Sequence, residues 1–481
     1  MKTNTLEFDA QALREKILDL AMRGKLVPQD PNDEPASVLL EKIKAEKEQL
    51  IKEKKIKKSK PLAPITDDEK PFDIPDSWEW VRFGDVGLLK NGKTPKKEDI
   101  SSDNIYPYFK VKDMNNNNLY MENAKNWVGE KYSRQVMPKN TIIFPKNGGA
   151  ILTAKKRILT QDSLVDLNTG GLIPYNDLNH KFIFYLFLSL DIKDFVKGSA
   201  VPTINSKKLK ETLVPLPPLE EQSRIAAKIA QLFALLRKVE SSTQQYAKLQ
   251  TLMKSKVLDL AMRGKLVEQD PHDEPASVLL EKIKAEKRKM IKEKKIKKSK
   301  PLPPITDDEK PFDIPDSWEW VRLGDVLDVR DGTHDTPKYV SEGIALVTAK
   351  NLKDGKIDFS NIKYISEKDA QKINQRSNVE TDDILFAMIG TIGNPVLITK
   401  RNNFAIKNVA LLKHAKYVNM DFVCKYILAS ESFLLEYANG GNQKFISLNK
   451  IKKLGFPLPP LVEQQNIVSK INNIFTLLTS I

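Results

Sequence analysis

Cysteine is almost absent: Cys424 is the single one among 481 residues. That excludes a disulfide framework or a cysteine-built metal site within one chain. It also suits a reducing cytosol, so a cytoplasmic protein is expected. Cys424 lies in the apolar stretch FVCKYIL, which points to an inert buried thiol. Histidine is sparse too. His180, His272, His334 and His414 are scattered without metal-ligand spacing, so no metal site is expected. Long apolar runs are missing. The longest, residues 182–188, is too short to cross a bilayer, and MKTNTLEFDA has no apolar signal core.

Catalytic signatures are missing as well. There is no GxxxxGK[ST] loop, no Gly-rich fingerprint for a dinucleotide or adenosyl cofactor, and no Asn-Pro-Pro-aromatic box. A nuclease reading could invoke Asp68-Glu69-Lys70 and its copy Asp308-Glu309-Lys310. Both triplets sit in Pro-rich linkers, where a solvated charged segment is the simpler reading. No catalytic residue and no resident cofactor are expected.

What is present is positive charge, a repeat and a helix. Lys and Arg total 78 against 63 Asp and Glu, a net +15. This favours a polyanionic partner, nucleic acid first and a membrane surface second. Residues 18–86 recur at 258–326, with 62 of 69 identical; only positions 28, 32, 48, 49, 50, 63 and 83 differ from their counterparts. A repeat of that fidelity means duplicated modules. The segments between, about 87–214 and 327–456, are not visibly alike.

From Leu219 to Met262 there is no Gly and no Pro. Ile225, Ile229, Leu232, Leu236, Val239, Thr243, Tyr246, Gln250, Met253, Val257 and Leu260 alternate four and three apart, and nine of these eleven are apolar. That is the a/d seam of a long helix made to pack on another helix. Ile467, Ile471, Ile474, Leu478 and Ile481 repeat its first five positions at an offset of 242. Thr3, Leu6, Ala10, Leu13, Ile17 and Leu20 repeat its last six at an offset of 240. The chain therefore reads as a cyclically permuted pseudo-dimer: one long helix is continuous and its equivalent is shared between the two ends.

In each repeat the long helix should stop at Met22-Arg23-Gly24 or Met262-Arg263-Gly264, with Gly as the C-cap. A second helix is expected from Ser37 to about Lys58, with a basic tail over residues 52–60, copied at 292–300. Trp78, Trp80 and Val81, and likewise Trp318, Trp320 and Val321, alternate with charge as the first strand of each insert. Both inserts read as mixed α/β globules. Each has a strand running into a Gly turn (Gly148-Gly149; Gly390 and Gly393), an apolar helix (179–196; 419–437) and a closing PLPPL. The expected class is α+β: two mixed α/β domains separated by a long antiparallel coiled coil, in a cyclic pseudo-twofold arrangement. The boundaries are 1–75 helical, 76–217 first domain, 218–315 helical, 316–459 second domain, and 460–481 helical.

Binding chemistry remains. The first insert carries Lys93, Thr94, Lys96 and Lys97 in NGKTPKK, then Lys110 and Lys112. The second carries Thr333, His334, Thr336 and Lys338 in DGTHDTPKY, then Lys350 and Asn351. Such loops set phosphate donors beside groups that read base edges.

The junction PLPPLEEQSRIAAKI, echoed as PLPPLVEQQNIVSKI, resembles that of the specificity subunit of type I restriction–modification enzymes. DIPDSWEWVRLGDV and DGTHDTPKY…TAKNL…GTIGN are similar to stretches of that family's target-recognition domains. The resemblance implies that each insert reads one half of a bipartite asymmetric double-stranded DNA site, with the coiled coil setting the unread spacer. It implies two adenine-N6 methyltransferase subunits docked on the duplicated helices and two ATP-dependent restriction/translocase subunits. S-adenosylmethionine, ATP and Mg²⁺ would then sit on those partners. The seam from 225 to 260 covers 36 residues, roughly 54 Å at 1.5 Å per residue, or about 16 base pairs. A free-standing bipartite DNA-binding regulator or scaffold is the alternative.

Overall fold

The computed structural model describes residues 8–56, 58, 62–198, 201–390, 392–400, 403–440 and 444–480. Thr3, Leu6 and Ile481 of the expected seam lie outside them, as do Lys57, Ser59 and Lys60 of the first basic tail. The described chain divides into two compact units, one ending at Thr243 and one beginning at Gln244. Each is built on the same plan.

The helix Leu219–Met262 runs unbroken for 44 residues. Nothing in it lacks an N–H or frees the backbone, and Glu220 and Glu221 sit in its first turn, where the helix dipole favours them. Within the first unit, Ala10–Met22 lies antiparallel to its first half: Arg14 pairs with Glu240 (Nη1–Oε1 3.0 Å), while Gln29, just past the helix end, reaches Glu221. In the second unit Leu461–Ser480 lies antiparallel to the other half, with Gln250 donating to the Leu478 carbonyl and Gln269 to Glu463. Ile225, Ile229, Ile467, Ile471 and Leu478 are buried, and Ile17, Leu20, Leu232, Leu236, Val257, Leu260 and Ile474 are partly covered.

The seam needs one correction. Leu13, Val239, Tyr246 and Met253 stay 40–44% exposed. A helix pair leaves solvent on both flanks, and these residues lie beyond the insert cores. At the ends the burial shifts to Ala226 and Phe233, and to Leu258, Ala261 and Met262, because there the helix packs on an insert core as well. Phe233 meets Tyr185 edge-on at 5.8 Å.

The helices Ala36–Lys52 and Ala276–Lys292 stop six residues before the expected end. Lys54 and Lys294 turn to φ +58, and the next amides bond back to Leu50 and Met290. Like charges in the lysine-rich tails disfavour further turns. Gly24 and Gly264 cap the preceding helices at φ +66; a Cβ at Gly24 would lie 2.5 Å from Pro75 Cγ.

Each insert begins and ends on one antiparallel strand pair, Glu79–Arg82 with Leu213–Leu216 and Glu319–Arg322 with Gly455–Leu458. The first holds a five-stranded sheet in the order Gly87–Asn91, Thr169–Pro174, Ile142–Pro145, Arg157–Leu159, Tyr120–Met121. Beside it is a three-stranded sheet of Asn126–Val128, Tyr106–Phe109 and Leu164–Val165. The second has Val329–Asp331, Val409–Leu412, Ile384–Ala387 and Gly393–Leu397 in one sheet. Its other sheet is Tyr339–Val340, Lys363–Ile365, Ile344–Val347 and Phe404–Ile406. The apolar helices are shorter than expected: His180–Ser189 gives way to a 3-10 turn, and Met420–Ala429 breaks at Ser430 before Glu431–Tyr437.

A buried Glu-Gln pair locks each insert to the helix that follows it, Leu219–Met262 or Leu461–Ser480. Glu221 accepts from Trp78 Nε1 (2.8 Å) and Gln29 Nε2 (2.7 Å); Gln222 accepts from the Asn179 amide and donates to the Pro217 carbonyl. Glu463 and Gln464 do the same with Trp318, Gln269, Asn419 and Pro459. Burial holds both glutamates above the ordinary carboxylate range. A folded pKa raised over the unfolded one gives stability that is complete below the unfolded value and lost as pH rises through the folded value. Removing the titration with Glu221→Gln should therefore shift melting temperature in the variant's favour, relative to the parent, as pH rises from about 4 to about 7. Thermal melts at several pH values check this; a difference constant with pH would contradict it.

Candidate nucleic-acid interface

The candidate residues fall where strands of the two sheets end. In the first insert the chain leaves Gly87–Asn91 at Gly92, whose missing Cβ is required: one would lie 2.1 Å from the Asp166 carbonyl oxygen. That approach lets the Lys93 amide donate to Val165 O at 2.8 Å and Thr94 Oγ1 accept from the Leu167 amide at 3.3 Å. The same Asp166, itself buried, accepts from the Val111 amide and from Thr169 Oγ1. One turn thus gathers the loop of Lys93 and Thr94 with that of Lys110 and Lys112. Lys93, Thr94 and Lys112 are exposed; Lys110 is half-buried, its Nζ 5.8 Å from the Tyr108 ring centre. Lys96 and Lys97 are exposed; the Lys96 amide donates to Tyr132 Oη and its Nζ faces Glu98 at 3.6 Å.

The second insert repeats the frame with other side chains. Gly332 takes the place of Gly92, and a Cβ there would lie 2.3 Å from Ile406 O. The Thr333 amide donates to Ile406 O at 3.0 Å. His334 is exposed, with Nε2 2.9 Å from Asp331 and Nδ1 3.0 Å from Asn408. Thr336 Oγ1 accepts from Lys407 Nζ. Lys338 and Lys350 are exposed. Lys350, Gly390 and Asn408 help line an open cleft of about 840 Å³.

Asn351 is corrected. It is 8% exposed, and its amide is spent on structure: Oδ1 accepts from the Thr348 amide and hydroxyl, and Nδ2 donates to Asp358 O. Its counterpart Asp113 accepts from the Lys110 amide in the same way. Neither points a polar group outward to a base.

Sequence reasoning missed Asn147, Asn168, Lys407 and Asn408. Asn147 Nδ2 donates to Leu167 O at 3.3 Å, which brings the Gly148 turn to the same cluster. The available signal was a polar pair between two apolar strand runs, as in FAIKNVALL.

The remaining chemistry is structural. Glu69 takes both ends of the buried Arg82 guanidinium (3.0 and 2.9 Å), and Glu309 takes Arg322, which holds the Glu309 carboxyl down to about 2. The Asp-Glu-Lys triplets therefore anchor linkers to the strand pair. Glu380, Asp383 and His414 are, among the described residues, the grouping close enough to hold a metal ion. Lys413 Nζ lies 2.6 Å from Glu380 and 2.7 Å from Asp383, so an ammonium already serves those carboxylates. Burial pushes the Cys424 thiol up to about 11, away from nucleophilic use.

Residues 75–250 and 315–481 match the family described as Type I restriction modification DNA specificity domain. The chain is similar to the type I restriction enzyme EcoAI specificity subunit of Escherichia coli, 32% identical over 541 residues, covering 97% of this chain and 89% of that protein. It is 30% identical over 554 residues to the EcoEI specificity subunit of Escherichia coli, with the same coverage of 97% and 89%. A solved structure described as "Structural basis underlying complex assembly and conformational transition of the type I R-M system" aligns at a TM-score of 0.58 and 18% identity, over 85% of this chain and 92% of that one, and shows the shared fold. The family match over both inserts makes this a DNA-specificity protein. The chain belongs to the family of specificity subunits of type I restriction–modification enzymes, their non-catalytic DNA-recognition component.

The two neighbours Lys350 and Asn351 should respond differently to truncation. Asn351→Ala should cost about 1–2 kcal/mol of stability by stranding buried partners. Lys350→Ala should leave stability within about 0.5 kcal/mol and reduce the salt slope of DNA binding by about 1. Denaturant unfolding and binding across a salt series separate them; a large stability loss in the lysine variant would contradict the assignment.

Proposed function

We propose that each insert is a target-recognition domain reading one half of a bipartite asymmetric DNA site, and that the long helices set the spacer as an antiparallel coiled coil with pseudo-twofold symmetry. The domains are those bounded at 76–217 and 316–459. The observation that carries this reading is the contrast within the chain. A frame repeated with 62 of 69 identical residues supports two inserts that share their central strand order but differ in edge strands and loop side chains. Identical frames suit two copies of one partner; unlike loops suit two different half-sites.

Those partners are two adenine-N6 methyltransferase subunits, joined by two ATP-dependent restriction/translocase subunits. On this reading S-adenosylmethionine, ATP and Mg²⁺ are bound by those partners. It acts in the cytoplasm; among the described residues no helix is long and apolar enough to cross a membrane. Lys93, Thr94, Lys110 and Lys112 face the first half-site, with Lys96 and Lys97 on its flank. Thr333, His334, Thr336, Lys338 and Lys350 face the second.

Replacing Lys93 and Lys112 by Ala should weaken the first half-site about ten- to a hundredfold and leave the second intact. Sequencing methylated adenines in cells that carry the whole system gives the readout. Equal loss in both halves, or none, would contradict the proposal.

A further inference from the structure

Backbone bonding puts the two inserts in register at the reading turn. The Gly92 amide donates to Thr169 O and the Gly332 amide to Val409 O, both at 3.0 Å. Asn168 and Asn408 therefore hold the same position, just before the returning strand. In both inserts the side chain two residues past the glycine meets this turn, as Thr94 or as His334.

In the second insert the contact continues inward. His334 Nε2 lies 2.9 Å from Asp331 Oδ2, and Asp331 is 5% exposed, with its other oxygen on the Arg376 guanidinium. A carboxylate beside Arg only accepts, so Nε2 carries a proton. The state of Nδ1 then decides how Asn408 sits. A neutral ring needs a donor at Nδ1, which turns the amide nitrogen inward and Oδ1 outward. A ring that carries its proton on Nδ1 donates to Oδ1 and turns the NH₂ outward. Asn408 is pinned at φ +53, with its amide on Thr333 O at 3.1 Å, and it lines the open cleft with Lys350. Asn is the side chain that reads adenine through paired O and N contacts. The charged groups around His334 are Asp331 on its own strand, Arg376 on the helix Glu367–Ser377, Arg330 bonded to Arg376 O, Lys407 on the adjoining turn, and Asp335 next in sequence.

We propose that Asn408 reads a base edge in the second half-site, and that His334, held by Asp331, is the positioning residue that sets whether its amide offers a donor or an acceptor. This rests on the insert being a DNA-reading domain.

The test selects binders of the full-length chain from a pool of randomised duplexes of about 40 base pairs. Parent, Asn408→Ala, Asn408→Asp and Asp331→Asn are compared. The expected result is that the Asn408→Ala change lowers preference about tenfold at one position of one half and leaves the other half unchanged. Asp331→Asn, with its oxygen kept on Arg376 and its NH₂ facing Nε2, moves the ring proton to Nδ1 and changes the preference at that same position. Should Asn408→Ala fail to fold, as judged by circular dichroism, Asn408→Asp keeps the shape and the positive φ and must alter the same position. A motif unaltered by both Asn408 variants, or loss spread over both halves, overturns base reading by Asn408. A position that Asn408→Ala alters but Asp331→Asn leaves as in the parent overturns the orienting role of His334. Enrichment of no motif by the parent would contradict the DNA-reading domain itself, a different failure.

Discussion

Two buried dipeptides, Glu221-Gln222 and Glu463-Gln464, hold the architecture together. Each is essentially without solvent, and each gathers four segments: the helix that bears it, the tryptophan just before the insert's first strand, the turn after the helix antiparallel to it and the start of the insert's apolar helix. A buried polar group that loses its partner costs stability. The segments that must meet here are therefore fixed in type, and the PLPPL approach sets the angle of entry. Change in the inserts has to occur away from this junction.

The loops at the sheet ends have that freedom. What they share is backbone: glycines at 92 and 332 where a Cβ would strike a carbonyl, and a returning turn that bonds to both. What they do not share is the outward side chain, Lys93 and Thr94 in one and Thr333 and His334 in the other. A fixed scaffold with variable outward groups is how a fold acquires two specificities. The second insert adds an ion-paired support, Arg376 on Asp331 on His334, where the first uses a single threonine hydroxyl.

The frame is legible in the sequence because it is stated twice and because its periodicities are long. A run of 44 residues without Gly or Pro, in heptad register, reads as one helix, and the structure has it from Leu219 to Met262. The alternation around Trp78 and Trp318 reads as a strand in the same way. Shorter-range features are hidden. The helix ending at Lys52 depends on one lysine turning to positive φ, which no pattern announces. Asn351 looks like an exposed reader until Thr348 and Asp358 are seen around it, and Asn408 looks like a strand residue until the loop of His334 folds over it. Their partners lie from three to 74 residues away, and only the fold says which distance matters.

On the proposed reading, the helix Leu219–Met262 and the helices antiparallel to it set the spacer between two unlike half-sites. Lengthening both by three heptads tests it most directly. That adds about 32 Å, close to the 34–36 Å of one DNA turn, and so keeps both readers on one face of the duplex. Mapping methylated adenines in cells carrying the lengthened system should return the same two half-sites with a spacer about 9–10 base pairs longer. The same half-sites at the original spacing would contradict the account.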